Sequence, residues 1–338
     1  MKTKILYIER KLEFGVSIEK VFRQIAKTLS KDKFEVAFQQ LPYSNNALGT
    51  LKNLLFYRKS ENDIYHVTGH VHYITLILPK EKTVLTIHDL GILNIRKGLR
   101  RFILKKLLID LPVKKLKYIT AVSESAKNEI LFYTNCNENK IRVIENPLLE
   151  HFFLSEKKIF NAECPNILQI GTTKNKNLKN LIKALNGIEC KLKIIGKIET
   201  EITQLLRKYE INYSNELNLN NIEIKNEYQN ADIIAFCSTY EGFGLPIIEA
   251  QAMKTPVITS DISPMKEVSG GGAVLVNPND YLSIRKGILK IIKDKKLRDF
   301  LIEKGLENIK RFEPKYIAGL YEELYEEVKN TSSSTVKK

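Results

Sequence analysis

Glu241 and Glu249 stand with seven residues, GFGLPII, between them. An apolar run at 232–236 precedes the pair, and Pro246, a residue suited to the first helical position, marks the start of a helix. The reading places Glu249 in the first turn of that helix and Glu241 in the loop before it. The backbone N–H groups of Gly242, Phe243, Gly244 and Leu245 then lie at a helix N-terminus, where orphan amides and the helix dipole favour an anion. Two carboxylates beside an anion site repel it unless they are engaged elsewhere, and sugar hydroxyls are their obvious partners. A phosphate flanked by polyols is the ligand this pattern implies, in other words a nucleotide sugar. Taken alone the motif is weak, because Gly-rich turns before helices are common and most bind nothing.

These residues need a frame. Apolar β-rich runs alternate with amphipathic stretches along the whole chain: 4–8, 34–38, 64–67, 83–87, 118–122 and 141–144, then 166–170, 192–195, 222–224, 232–236, 256–259 and 273–276. Strands separated by segments of helical period, such as 17–29 and 179–185, predict βα units wound into parallel sheets. Two sets of six predict two α/β domains, with a ligand at the carboxyl ends of the strands in the cleft between them. A weakly periodic stretch at 150–165 reads as the linker. Residues 281–328 read as nearly continuous helix broken at Pro314, and residues 330–338 as a frayed polar tail.

The Glu-x7-Glu element, with GFGLP inside it and PVI after it, resembles glycosyltransferase family 4. That resemblance implies an α/β GT-B fold: two Rossmann-like parallel-sheet domains facing a cleft, with C-terminal helices crossing back to the first. The implied domains are an acceptor-binding one at 1–155 and a nucleotide-sugar-binding one at 156–312. A helix at 313–330 would return to the first domain, with a tail at 331–338.

ILQIGTTKNKNLKNLIKAL is similar to the family's strand, turn and helix. It places Gly171 and Thr172 at the donor and Lys176 on its diphosphate, with Asn175 where an Arg is common. VLTIHDLG places His88 and Asp89 at a strand end. Phe14, Gly15, Val16 and Ser17 occupy the first β-to-α turn, with Gly15 approaching the diphosphate. By the same resemblance Glu249 holds the ribose hydroxyls, and Glu241 with the amides of Gly242, Phe243 and Gly244 holds the transferred sugar. Lys176 stabilises charge on the departing diphosphate, and His88 orients donor or acceptor. The resemblance implies transfer with retention of configuration and without a metal or other cofactor, which agrees with the lack of an Asp-x-Asp motif.

Four of the five histidines lie between His66 and His88. The H-x3-H-x-H spacing of His66, His70 and His72 matches no strong zinc signature and no Cys is near, so these residues with Asp89 read as a polar group facing the acceptor. Cys136, Cys164, Cys190 and Cys237 form no CxxC pair, and free thiols in a reducing cytoplasm are the expected state. No apolar run approaches the length of a membrane span, and the first residues do not read as a signal peptide.

The 338 residues are 43% hydrophobic and 28% charged, a folded-protein composition. The net charge of +15 comes from 54 Lys and Arg against 39 Asp and Glu. It is concentrated: residues 96–117 hold nine cations and one anion, Asp110. Cations interleaved with Phe102, Ile103 and Leu104 predict an amphipathic helix able to meet an anionic membrane, placing the protein peripherally on the inner face of the cell membrane. The same pattern also fits an ordinary domain helix. Charge alone would permit nucleic-acid binding, but only 11 of the cations are Arg, Trp is absent and no recognised module appears, so no nucleic-acid partner is expected. The functional expectation is a glycosyltransferase that moves a sugar from a nucleotide sugar to a saccharide or lipid-linked acceptor in bacterial cell-surface polysaccharide synthesis. A sugar-nucleotide epimerase of the same fold and a basic nucleic-acid-binding protein are the alternatives.

Overall fold

The computed structural model describes residues 2–11, 17–95, 98–153 and 159–335. The chain divides into two compact units, Met1–Pro147 together with Pro314–Lys338, and Leu148–Glu313.

The first unit is built on a parallel sheet of β1 (Thr3–Glu9), β2 (Phe34–Gln40), β3 (Ile64–Val67), β4 (Thr83–Ile87), β5 (Tyr118–Ala121) and β6 (Ile141–Val143), in the order β2-β1-β3-β4-β5-β6. Strands β3, β4 and β5 are buried along their full length. They therefore read as continuous apolar runs, as helices on both faces of a parallel sheet require. The helix Pro314–Thr335 belongs to this unit. Its Ile317, Ala318, Tyr321, Leu324, Tyr325 and Val328 are buried at helical spacing. Tyr325 Oη lies 2.9 Å from Tyr7 Oη and 2.7 Å from His66 Nδ1, and His66 Nε2 lies 2.7 Å from Thr86 Oγ1, which reaches Thr120 Oγ1 at 2.6 Å. This buried polar chain ties β1, β3, β4 and β5 to the last helix. Each member has a partner, the condition under which a polar core is tolerated.

The second unit carries β7 (Asn166–Ile170), β8 (Lys191–Ile195), β9 (Tyr213–Glu216), β10 (Ile233–Phe236), β11 (Val257–Ser260) and β12 (Val274–Val276), all parallel, in the order β12-β11-β10-β7-β8-β9. Counted from β7 this is the doubly wound order 3-2-1-4-5-6. The strand order reverses between β7 and β10, and ligands of such sheets bind beyond the strand ends at that point.

Three expectations change. Residues 222–224 are not a strand: they lie in the helix Asn221–Asn230, started by a capping box in which Asn220 and Glu223 satisfy each other's backbone N–H groups. The third strand of this unit is β9 instead, whose half-exposed YSNE carries little apolar signal. Residues 331–335 are helical rather than frayed, with Tyr118 Oη donating to Thr331 Oγ1 and Ser332 Oγ to the Glu81 carbonyl. The first boundary falls after Pro147 rather than after 155, because Leu148, Leu149 and Phe152 are buried in the second unit. Leu148 N donates to the Phe312 carbonyl, and the Phe152 ring packs edge-on against Tyr228.

Candidate functional site

In the second unit β7 and β10 are hydrogen-bonded neighbours, so the loops leaving their carboxyl ends meet. The β7 loop turns at Gly171, whose φ of +84° is strained for any residue with a Cβ. A Cβ there would also stand 3.0 Å from Cγ and Cε of Lys176, so the glycine makes room for the lysine stem. Lys176 Nζ donates to Glu241 Oε1 at 2.7 Å and lies 4.7 Å from the centre of the Phe236 ring. Both partners of the pair are mostly buried, with side-chain exposures of 21% and 13%.

Asn175 and Asn177 knit the two loops together. Asn175 donates through Nδ2 to the Tyr240 carbonyl at 3.0 Å and its own carbonyl accepts from Thr239 N at 2.8 Å, while Asn177 Nδ2 reaches the Cys237 and Pro278 carbonyls. Asn175 thus holds the β10 loop in place where an Arg was the familiar residue. One cation, Lys176, is joined to Glu241.

After β10 the loop runs through Gly244, with φ of +115°, into the helix Leu245–Ala252. No side chain caps this N-terminus. Within the first turn Pro246 has no N–H and Ile247 N donates to the Gly244 carbonyl at 3.0 Å, so the amide facing outward from the helix start is that of Leu245. The side chains of Phe243, Ile247 and Ile248 anchor the segment in the core, Phe243 edge-on to Phe312. Ser238, at the start of the same loop, has a buried hydroxyl with no partner among the described residues.

Glu249 is the fifth residue of the helix and so lies just beyond the first turn where the sequence placed it. Its Oε2 accepts a short hydrogen bond from Tyr228 Oη. Tyr228 is fully buried, and desolvation together with the adjacent carboxylate pushes its hydroxyl far above the usual phenol range, so it stays a donor. The sequence did not mark Tyr228; an isolated Tyr in a polar helix carries no signal until the helix is packed.

In the first unit His88 follows β4 and is 6% exposed. Its Nε2–H donates to the Thr68 carbonyl at 2.9 Å, which leaves Nδ1 as the lone-pair nitrogen. Burial lowers its pKa to about 3, so the ring is neutral. Asp89 Oδ1 accepts from Gly91 N, and Asp89 Oδ2 lies 3.8 Å from His70 Nε2. The His70 ring is 6.2 Å from that of His88 and 6.1 Å from that of His72. His72 Nδ1–H donates to the Leu108 carbonyl at 2.7 Å, leaving its buried Nε2 without a partner among the described residues. These four residues are neighbours at the ends of β3 and β4.

His66 is not with them. It lies inside β3, fully buried, with both ring nitrogens engaged by Tyr325 and Thr86, so it is a core residue and not one facing an acceptor. Gly15 lies outside the described residues. Among the described residues that flank 12–16, Arg10 Nε pairs with Glu19 Oε1 at 2.9 Å and Arg23 with Glu9 at 2.8 Å, a charged group that the sequence reading passed over. Only their juxtaposition at the end of β1 marks them.

Residues 153–308 match the family model described as glycosyl transferases group 1. Over 227 residues the chain is 30% identical to the O-antigen chain mannosyltransferase RfbU of Salmonella typhimurium, covering 64% of this chain and 62% of the relative. It is 31% identical over 243 residues to the capsular polysaccharide biosynthesis glycosyltransferase CapM of Staphylococcus aureus, covering 63% and 61%. The chain therefore spans about three fifths of the length of these curated relatives. Among solved structures, Anabaena HepE in complex with UDP and glucose superposes with a TM-score of 0.77 at 16% identity, covering 95% of this chain and 99% of that one. The chain has the GT-B fold, and over residues 153–308 it matches glycosyl transferases group 1.

Proposed function

We propose that this protein is a retaining, metal-independent glycosyltransferase of family 4 type. It would move a sugar from a nucleotide-sugar donor to a saccharide or lipid-linked acceptor in the synthesis of a bacterial cell-surface polysaccharide. The observation that carries the reading is the Lys176–Glu241 pair beside an uncapped helix N-terminus, at the point where the sheet order of the second unit reverses. A cation, helix amides and a carboxylate at one spot suit a diphosphate with a sugar attached. The names of RfbU and CapM support the polysaccharide setting, and the UDP and glucose in the HepE structure support the donor class.

In this reading the bond from the anomeric carbon to the diphosphate oxygen breaks as the acceptor oxygen bonds to the same carbon. The acceptor proton passes to the diphosphate. Lys176 and the amides of Gly242, Phe243, Gly244 and Leu245 stabilise the charge that develops on the leaving group. Glu241, released from Lys176 as the phosphate takes the cation, holds the sugar hydroxyls, and Glu249, aligned by Tyr228, holds the ribose. Gly171 and Thr172 line the donor. His88, neutral and fixed in one tautomer, offers Nδ1 to a sugar hydroxyl, with His70, His72 and Asp89 beside it toward the acceptor. The protein works at the cytoplasmic face of the membrane, with residues 96–117 against anionic lipid.

Incubation with UDP-, GDP- and TDP-sugars, a mannosyl donor among them, tests this by scoring free nucleotide with and without EDTA. Donor-dependent release that survives EDTA, with the product keeping the anomeric configuration, is expected. No turnover of any donor, or binding of oligonucleotide in its place, refutes the reading.

A further inference from the structure

The helix Ala47–Phe56 exposes Leu48, Leu51, Leu55 and Phe56, at 62%, 53%, 67% and 64%. Positions i, i+3 and i+7 lie on one face of a helix, and that face is ordinarily the buried one. Here the buried residues are Gly49 and Asn53. Asn53 points inward, bonded to Tyr73 and the backbone of Tyr43, and Leu54 packs partly buried on the core, while Leu48, Leu51 and Leu55 point to solvent. The helix Gly98–Lys105 has no buried residue and exposes Leu99, Phe102 and Ile103. The 3-10 turn His72–Ile77 links the two. It packs on the helix Ala47–Phe56 and on the π-helical turn Lys106–Asp110 that continues Gly98–Lys105, and its Ile77 is itself exposed.

Charge identifies the occupant. Residues 47–60 contain Lys52, Arg58 and Lys59 and no acid, and residues 98–109 contain Arg100, Arg101, Lys105 and Lys106 and no acid. Not every cation of the basic run is available. Lys115 Nζ is spent on the carbonyls of Thr75, Leu76 and Leu78, and Lys105 pairs with Asp110. Those that remain exposed, Arg100 and Arg101 in the second helix and Lys106 at the start of the turn that follows it, lie beside its apolar side chains, with Lys106 Nζ 5.9 Å from the centre of the Phe102 ring. A second copy docked on this face would set cations against cations. Anionic lipid supplies negative headgroups and hydrocarbon together.

We propose that the helices Ala47–Phe56 and Gly98–Lys105 form one two-helix surface that inserts into the headgroup layer of an anionic bilayer, with the exposed leucines and phenylalanines as anchors. The element added to the basic run is the helix Ala47–Phe56, whose Leu51 and Leu55 contribute as much as the arginines. The inference does not depend on the transferase reading.

Co-sedimentation of the full chain with vesicles tests it, using phosphatidylcholine alone and phosphatidylcholine with roughly one-third phosphatidylglycerol. The wild type is expected to pellet with the anionic vesicles only, and less at high salt. The double substitution Leu51→Glu/Leu55→Glu and the single Phe102→Glu are each expected to weaken binding about tenfold or more, the scale of losing buried leucine or phenylalanine area. Leu282→Glu, at an exposed apolar position of the second unit, should bind as wild type. Melting curves verify the fold, and Leu51→Ser/Leu55→Ser replaces the charged pair if it melts early. Wild-type protein that ignores anionic vesicles, or Leu51 and Leu55 variants that still bind fully, overturns the proposal. So does a dimer in solution that these substitutions dissolve, since the face would then belong to a second copy. Nucleotide-sugar binding by the same variants, expected unchanged, keeps this result separate from the fate of the donor site.

Discussion

Replacing Lys176 by Met removes the cation and keeps most of the stem that lies against Gly171 and Phe236. In the free protein the loss is one ion pair, whose partners are 21% and 13% exposed. Removing one partner of a fully buried pair costs about 3–5 kcal/mol, while exposed pairs are worth less than about 1 kcal/mol. Glu241 keeps some water and keeps Asn175 Nδ2 at 3.4 Å, so a stability loss of about 1 kcal/mol is expected. The effect on the reaction should be larger. A preorganised donor aimed at developing charge is worth about 2.7–4 kcal/mol, or roughly 10²–10³ in kcat. The paired assays are urea denaturation and initial rates of nucleotide release at saturating donor. Lys176→Met should shift the denaturation midpoint slightly and lower kcat by at least about a hundredfold. A kcat within a few-fold of wild type, in a variant that is folded and binds donor, would show that the Lys176–Glu241 pair is a structural clip and that the leaving group is stabilised elsewhere.

Tyr228→Phe keeps the ring against Phe152 but takes the donor from Glu249, and a hydrogen bond to a charged group is worth about 1.5–3 kcal/mol. Donor affinity measured by calorimetry should fall about tenfold or more, with smaller change in kcat; unchanged affinity would remove Glu249 from the ribose site. Gly171→Ala sets a Cβ at φ +84° and pushes on the Lys176 stem, so a stability loss of about 1–2 kcal/mol and weaker donor binding should appear together. Buried His66, His72 and His88 have pKa values lowered by burial to about 3, 4 and 3, below their ordinary 6.5. Between those limits only the unfolded chain takes up the protons. The stability they protect is therefore complete above pH 6.5 and is lost as pH falls toward 4, by about 1.4 kcal/mol per pH unit for each histidine. A first unit whose unfolding free energy is flat from pH 7 to pH 4.5 would contradict this.

The two sheets were legible because parallel strands buried on both faces write themselves as apolar runs, and eleven of the twelve runs overlap a strand. The exception shows the limit. Ile222, Glu223 and Ile224 alternate like a strand, yet three residues cannot set a period against a capping box. The true strand, Tyr213–Glu216, sits at the sheet edge and is half polar. The donor loop was legible for a related reason: Gly244 and Pro246 are demanded by local backbone geometry, which acts within a few residues. Lys176 and Glu241 were named separately as candidates, while their pairing across 65 residues depends on β7 and β10 being neighbours.

The residues that sequence reading misjudged are those defined by packing. His66 had the right type and the right neighbours in sequence to face a ligand. It is a core residue because the last helix brings Tyr325 onto one ring nitrogen and β4 brings Thr86 onto the other. Tyr228 had nothing local to mark it, and it matters only because its helix sets the hydroxyl on Glu249. The outward leucines of Ala47–Phe56 drew no comment from the sequence, since amphipathicity gives the period of a helix but not the direction in which its apolar face points. Local sequence thus determined the fold class and the chemistry on offer, through backbone preferences and side-chain periodicity. The partner of each charged group and the face that each helix turns to solvent were decided by the tertiary structure, because both depend on contacts between segments far apart in the chain.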